Sequence, residues 1–485
     1  MRNPYIIFFA LVVLVLSWVV SVSGGGGVFQ VNHKFGRRID WSLTDLKLHD
    51  TKRHGSGRLL AEIYYTKLAI GSPPRDFFLV VDTGSDVFWV NCAKCGPCHP
   101  TYTLATLMHP MLSFLQPTLN LYDPKFSSTS SVVPCGDDFC TEYSKGRHQS
   151  GCSSNKVCRY SVGYADGSTT AGYFVHDTIG FDKISANFQA TIGTAEVSFG
   201  CGMKVTGKFG NPSLDGLIGF GASSTSLLSQ LASEGKVSKK FAHCLDGRNG
   251  GGIFVIGDVV QPPLTMTPLV ANAQHYNVNM KSIQVGNNII DISKFQAGDG
   301  ERTIVDSGTS LTYFPKSVLD PLKQTILASQ PNLTTYLLGD FYECFGFNKS
   351  IDDSLPTVTF RFKNSLQLNV YPHDYLFTQN EGYCFGWQDG AKFKTDLIIL
   401  GDLVLNNKLV LYDLENQALG VSEYDCSSTI GLKDEESGSI YQVGGSNTLS
   451  SYPTRYHKDI SSSPAQHFGR VIQFILLSFM LYSCV

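Results

Sequence analysis

Two short stretches limit what this chain can fold into more than any bulk property does: "FFLVVDTGSDVFWV", Phe77–Val90, and "RTIVDSGTSLTYF", Arg302–Phe314. In each, an apolar run delivers an aspartate followed by hydroxyl, glycine and hydroxyl. An ionised carboxylate buried in a strand costs several kcal/mol unless it is hydrogen-bonded or protonated. A turn at a strand end would house one such aspartate, because Asp, Gly and Ser are turn formers. Two copies ask for more. At average composition the four-residue pattern arises by chance in roughly a few chains per hundred of this length, and a second copy is about a hundredfold rarer. Each copy also has a later apolar-apolar-glycine companion, "DGLIGFG" (Asp215–Gly221) and "LIILGD" (Leu397–Asp402). The simplest account is an internal duplication, in which two β-rich lobes each bring one aspartate to a shared cleft.

Asp82 and Asp306 would then face one another. Two carboxylates at close range cannot both ionise cheaply, so they share one proton and one macroscopic pKa rises. The hydroxyls of Thr83, Ser85, Ser307 and Thr309 can donate to the carboxylate oxygens, and Gly84 and Gly308 let backbone come close. The ionised partner can take a proton from a bound water while the protonated one polarises a carbonyl. That chemistry hydrolyses a peptide bond without a serine nucleophile or a covalent intermediate. Polypeptide substrates are the expected partners, no metal or cofactor is expected, and nothing in the pattern asks for more than a monomer.

The rest of the sequence suits an exported, mostly β chain with few short helices. Charged residues are 16% of the 485, below the roughly 25% of an average globular protein. Gly, Ser, Thr, Tyr and Phe are abundant, which favours many short strands and turns. A formal net charge of −3, with no basic patch interleaved with aromatics, argues against a nucleic-acid partner. Residues 1–23 read as a signal peptide, with one arginine before an apolar run and small residues at Ser21 and Ser23; a retained membrane anchor is the alternative. Residues 24–58 read as a basic prosegment, with "VNHKFGRRIDWSLTDLKLHDTKRHGSGR" carrying seven Lys or Arg against three Asp. From 59 to 463 there are 29 Lys or Arg against 38 Asp or Glu, a net of −9. A basic leader on an acidic body is held by attraction that weakens as carboxylates protonate.

Turn-punctuated strands begin near Glu62 and recur to about Cys426, which places a first lobe at 59–262 and a second at 263–426. Ser223–Gly235 and Pro315–Ser329 read as helices, the first with Leu227, Leu228 and Leu231 on one face. His99–Asn120 is apolar without a strand period and has no assignment. Residues 427–463 turn polar and read as a flexible stalk. The chain ends on "VIQFILLSFMLYSCV", fifteen residues that are short for a membrane span. Ser461, Ser462 and Ser463, a polar spacer and this tail form the signal for a glycosylphosphatidylinositol anchor, with 464–485 removed; a tail-anchored helix is the alternative. These features imply the secretory pathway and the outer face of the plasma membrane, or the extracellular space.

Of thirteen cysteines, twelve lie outside the tail: Cys92, Cys95, Cys98, Cys135, Cys140, Cys152, Cys158, Cys201, Cys244, Cys344, Cys384 and Cys426. The run "NCAKCGPCHP" has spacing compatible with zinc, but in an exported chain disulfides are the expected use. Pairing does not follow from sequence; Cys344 with Cys384 is the one pair put forward. Asn332-Leu-Thr and Asn348-Lys-Ser are glycosylation sequons.

With both motifs and both glycine companions on the page, Glu62 to Cys426 resembles the pepsin-like aspartic proteases, within them the cysteine-rich plant branch that includes the nepenthesins. The resemblance implies a bilobal fold, two β-barrel-like lobes around a central substrate cleft, with Asp82 and Asp306 as catalytic pair. It also implies that "YSVGYADGSTTAG" is the flap over the substrate, with Tyr164, Asp166 and Gly167 in it and Trp89 bonding the tyrosine hydroxyl. The flap has Ala165 where the branch usually has glycine, and Ser307 stands where pepsin itself has threonine. Relatives that have become silent binding or inhibitor proteins usually lose an aspartate or a neighbouring hydroxyl; this sequence keeps every one. The implied activity is therefore that of an acid endopeptidase made as a zymogen, with a silent pepsin-fold binding protein as the alternative.

Overall fold

The computed structural model describes residues 27–33 and, with internal gaps, 64–444. The signal stretch, Cys95, Cys98, residues 99–119, Ser461–Ser463 and the tail lie outside the described residues.

Strands dominate, and the motif strands show why their sequences read as they do. Tyr64–Ile70 alternates, with Tyr64, Thr66, Leu68 and Ile70 inward and Lys67 exposed, the pattern of a strand with one solvated face. Arg75–Asp82 alternates only at first and then buries every residue from Leu79 to Asp82. It runs antiparallel to Tyr64–Ile70, with Tyr65 opposite Val80, and parallel to Gly216–Gly219, with Asp82 opposite Gly219. A strand paired on both edges and covered on both faces needs a continuous apolar run. The second half repeats the arrangement. Thr303–Val305 lies parallel to Ile398–Leu400, with Val305 opposite Leu400, so each glycine companion is the neighbour of its motif strand.

The halves are joined by a common sheet. Lys240–Leu245 pairs with Gly252–Ile256 on one side and with Lys408–Asp413 on the other, and Lys408–Asp413 pairs with Ala418–Glu423. The second half adds a five-stranded sheet around the Asp306 strand and two four-stranded sheets. Helices are few and short. Leu227–Ser233 begins on Ser226, whose hydroxyl accepts the Ser229 amide, and buries Leu227, Leu228 and Leu231; Lys316–Leu327 buries Val318, Leu319, Leu322 and Ile326. Both fall inside the stretches expected to be helical.

Two segments differ from their reading as sequence. Gly27–His33, within the expected prosegment, is a strand placed between Gly252–Ile256 and Tyr64–Ile70, with Val28 opposite Val255 and Asn32 opposite Tyr65. The stalk expected from 427 instead contributes two strands, Thr429–Lys433 and Ile440–Gly444, in a sheet with Asp258–Gln261. Its composition is polar, but Ile430, Leu432, Tyr441 and Val443 alternate and are buried against Ile253, Val255 and Cys426. Period-two spacing outweighed composition there.

Among the described residues the disulfides are Cys92–Cys201, Cys135–Cys152, Cys140–Cys158, Cys244–Cys426 and Cys344–Cys384. The expected Cys344–Cys384 pair joins residues directly opposite on adjacent strands. Asn332 and Asn348 are both exposed, one before the strand Thr335–Leu338 and one after Tyr342–Gly346.

Candidate active site

At the end of each motif strand the chain turns back on itself and its aspartate collects donors from its own loop. Asp82 Oδ1 accepts the Gly84 amide at 2.8 Å and Oδ2 accepts the Ser85 hydroxyl. Asp306 repeats this, with the Gly308 amide on Oδ1 at 2.8 Å and the Thr309 hydroxyl on Oδ2 at 2.5 Å. The companions hold the strand ends: Phe220 N donates to Asp82 O at 2.7 Å, and Asp306 N donates to Leu400 O at 3.0 Å.

The two loops meet face to face. The Thr83 hydroxyl accepts the Ser307 amide at 2.9 Å, and the Thr83 amide donates to the Ser307 hydroxyl at 3.3 Å. The glycines make the approach possible. A Cβ on Gly84 would lie 2.4 Å from Asp306 Oδ1, and one on Gly308 would lie 2.1 Å from Asp82 Oδ1, so any side chain there would displace the opposite carboxylate. The two carboxylates face the same point, where a Cβ on Gly308 would lie 2.1 Å from Asp82 Oδ1 and 3.2 Å from Asp306 Oδ1. Burial first, and the negative charge of Asp306 second, hold the Asp82 carboxyl well above the usual carboxylate range, the outcome expected of a carboxylate pair on one proton. All eight residues singled out at the two motifs are therefore in one place.

The flap residues also converge. Arg159–Gly163 and Thr169–Ile184 form a hairpin whose turn runs from Tyr164 to Ser168. Gly167 sits at φ +84°, where only glycine is comfortable, and the Asp166 carboxylate fixes the turn by accepting the Ser168 amide at 2.9 Å. Trp89, 1% exposed, donates its Nε1–H to the Tyr164 hydroxyl at 2.8 Å. That hydroxyl also bonds Ser85, and burial followed by the Asp82 charge pushes its pKa well up. Trp89, Tyr164, Ser85 and Asp82 thus form one hydrogen-bonded chain from the flap to the dyad.

Sequence reading missed one support of the site and one buried polar pair. Asp215, which opens the first companion motif, accepts the Phe78 amide at 2.8 Å and the Asn120 amide at 2.7 Å and so pins the motif strand. His243 and Tyr412 form a buried pair on the joining sheet, with His243 Nε2 3.2 Å from the Tyr412 hydroxyl. Asp215 could have been found from its place in "DGLIGFG"; nothing local marks the other two.

A second constellation looks catalytic and is not. Ser198 Oγ lies 2.7 Å from His176 Nδ1, and His176 Nε2 lies 3.2 Å from Asp137 Oδ2. Ser198 is 3% exposed, and its backbone is held by Gln230, so no substrate reaches that hydroxyl. Among the described residues no group of His, Cys, Asp or Glu is placed to hold a metal ion.

The bilobal fold, with one Asp-hydroxyl-Gly-hydroxyl loop from each half and a flap over the pair, defines the pepsin-like class. Family models agree: "Xylanase inhibitor N-terminal" matches residues 64–258 and "Xylanase inhibitor C-terminal" matches 275–423. The chain is 42% identical over 464 residues to aspartic proteinase 36 of Arabidopsis thaliana, covering 91% of this chain and 92% of that one. It is 29% identical over 382 residues to the aspartic proteinase nepenthesin-2 of Nepenthes gracilis, covering 76% of this chain and 78% of that one. The chain belongs to the pepsin-like aspartic protease family. Among solved structures it is similar to conglutin gamma, a basic 7S globulin from lupine seeds, at a TM-score of 0.60 and 16% identity over 82% of this chain and 95% of that one. Basic 7S globulin from soybean aligns at a TM-score of 0.59 and 18% identity, over 83% and 97%. These two likenesses speak to fold alone.

Proposed function

We propose that the chain is an acid endopeptidase, exported as a zymogen, glycosylated at Asn332 and Asn348, and held as a monomer at the outer face of the plasma membrane by a lipid anchor near Ser461–Ser463. One observation carries the catalytic part: the paired loops bring the two carboxylates together while each keeps its own amide and hydroxyl donors. Such a pair holds one proton at acid pH. A water bound between them loses a proton to the ionised carboxylate as its oxygen attacks the peptide carbonyl carbon. The protonated carboxyl gives its proton to the carbonyl oxygen, leaving a neutral gem-diol. As the diol collapses, one of its hydroxyls returns its proton to the ionised carboxylate while the protonated one gives its proton to the nitrogen. The C–N bond breaks to a carboxylic acid and an amine, and the pair again holds one proton. Tyr164 and the flap cover the site and exclude bulk water.

The test is cleavage of an unfolded protein at mildly acid pH by the full chain, as secreted by its host, beside Asp82→Asn. Wild-type cleavage that the substitution abolishes supports the reading. Activity that arises only above about pH 8 contradicts a dyad needing one proton. The names of the matching family models favour a second reading, a silent pepsin-fold binding or inhibitor protein. That reading takes over if the wild type neither cleaves nor binds a transition-state-analogue inhibitor of aspartic peptidases. Release from membranes by a phosphoinositide-specific phospholipase tests the anchor; a chain left on the membrane after treatment sinks it.

A further inference from the structure

The Thr83–Ser307 pairing is one tie between the two dyad loops, and a second runs through the first glycine companion. Tyr276, early in the second half, is 1% exposed. Its ring packs on Tyr412 at 4.6 Å and on Phe241 at 5.8 Å, so packing fixes the direction of its hydroxyl. A phenylalanine would fill that space without the cost of burying a polar atom. The hydroxyl has a use across the halves: it donates to the Phe220 carbonyl at 2.6 Å. Phe220 belongs to the first companion, Asp215–Gly221. The backbone of the tyrosine belongs to the other side, since its carbonyl accepts the Val305 amide at 3.2 Å, and Val305 immediately precedes Asp306.

What this hydroxyl holds follows from peptide geometry. The Phe220 carbonyl and the Gly221 amide belong to one planar trans unit and point in opposite directions, so fixing one end fixes the other. The Gly221 amide donates to Ser85 O at 2.8 Å. There is no slack between these loops: a Cβ on Gly221 would lie 2.9 Å from Ser85 O and 2.2 Å from Asp86 Oδ1. Asp86 Oδ1 also accepts the Ser223 amide at 3.1 Å. Ser85 in turn donates its hydroxyl to Asp82 Oδ2. We propose that Tyr276 is a positioning residue for the dyad: its hydroxyl, through the Phe220–Gly221 peptide, seats Ser85 on Asp82 and ties that seat to the strand carrying Asp306. The two ties meet at Val305, whose amide donates to Tyr276 O and whose carbonyl accepts the Thr83 hydroxyl at 3.4 Å. Two carboxylates working on one proton need their donors held at a fixed spacing, and a packed ring in a paired strand holds them better than a loop would alone.

The kinetic arm of the test rests on the peptidase reading; the exchange arm does not. In the full chain, Tyr276→Phe keeps the ring and removes the donor. It lowers kcat about fivefold with KM unchanged, the size of one neutral hydrogen bond acting through geometry. The acid limb of the kcat–pH profile moves to higher pH, because a less well seated Ser85 hydroxyl favours the ionised carboxylate less. Hydrogen exchange at the Gly221 amide becomes faster. Added to Ser85→Ala, Tyr276→Phe lowers kcat no further, since the hydroxyl through which it acts is already gone. Losses that multiply, or a wild-type kcat and pH profile with only a lower melting temperature, overturn the proposal and leave Tyr276 as packing. If Tyr276→Phe does not fold, exchange in the wild type decides. Gly221 and Val305, one amide from each half, show protection within roughly tenfold of each other when the tie holds them as one unit, and weaker protection at Gly221 overturns it. If the wild type itself cleaves nothing, the peptidase reading fails, and exchange at Gly221 still judges this one.

Discussion

The two dyad loops are built alike and housed differently. Each offers its aspartate the amide of the glycine two residues on, at 2.8 Å, and the hydroxyl three residues on. Asp82, however, is 5% exposed and lies close enough to Tyr164 of the flap for its charge to be felt there. Asp306 is half-buried. Even the residues seven places on diverge: Trp89 is buried and bonded to the flap, while Tyr313 is only partly covered. Duplication fixed the local geometry of each half. What one half alone carries is the flap and the deeper burial of its aspartate.

The largest break in this comparison is loss of either carboxylate. Asp82→Asn and Asp306→Asn should each lower kcat by about 10³-fold or more, because acid and base work as one unit. Stability should separate them. Asp82 has its pKa raised in the fold, so its contribution to stability is fully present below the unfolded carboxylate value and is lost as pH rises through the folded one. The wild-type melting temperature should therefore fall between about pH 4 and pH 8. Asp82→Asn should flatten that slope; a slope unchanged in the variant would mean that burial of Asp82 is not its origin.

Gly84→Ala and Gly308→Ala come next. Each places a methyl inside the space of the opposite carboxylate, and overpacking of 1–3 kcal/mol predicts a loss of roughly ten- to a hundredfold in kcat/KM. The Gly308 change should be the worse of the two, since its Cβ approaches a buried carboxylate at 2.1 Å against 2.4 Å for a half-exposed one. Equal losses would argue that both loops relax alike.

Local patterns made the dyad legible. An apolar run into Asp-hydroxyl-Gly-hydroxyl can be read in a window of eight residues, and the glycine companions told which strands would flank it. Tyr164 and Trp89 became legible only through family resemblance, because their hydrogen bond spans 75 positions. His243 and Tyr412 were not legible at all: a histidine and a tyrosine in apolar strands 169 positions apart carry no local mark of meeting. The hairpin at 429–444 was misread for a different reason, because average polarity hid four alternating apolar residues.

Trp89→Phe tests the part of the asymmetry that the flap contributes. It keeps an aromatic ring in the core and removes the Nε1–H that Tyr164 accepts at 2.8 Å. One hydrogen bond at a half-covered site predicts about a fivefold loss in kcat/KM. Tyr164→Phe should cost a similar amount, and the pair less than the sum, because both act on one chain ending at Ser85. Additive losses would mean that the indole and the phenol serve the dyad separately.

The smallest expected effect is the most specific to the second loop. Thr309 differs from Ser85, its counterpart, by one methyl, and both donate to an aspartate Oδ2. Ser85 has a further partner in Tyr164, so its side chain is confined from above as well as from the dyad. If the hydroxyl alone matters at 309, Thr309→Ser should change kcat/KM by less than about twofold, as for an exposed-site change that keeps its hydrogen bond. Thr309→Ala, which leaves Asp306 Oδ2 without that donor, should cost about tenfold, the range for a hydrogen bond to a charged group. A Thr309→Ser variant as damaged as Thr309→Ala would show that the methyl sets the rotamer of the donor, and that the two loops differ in how they are held as well as in how deeply they are buried.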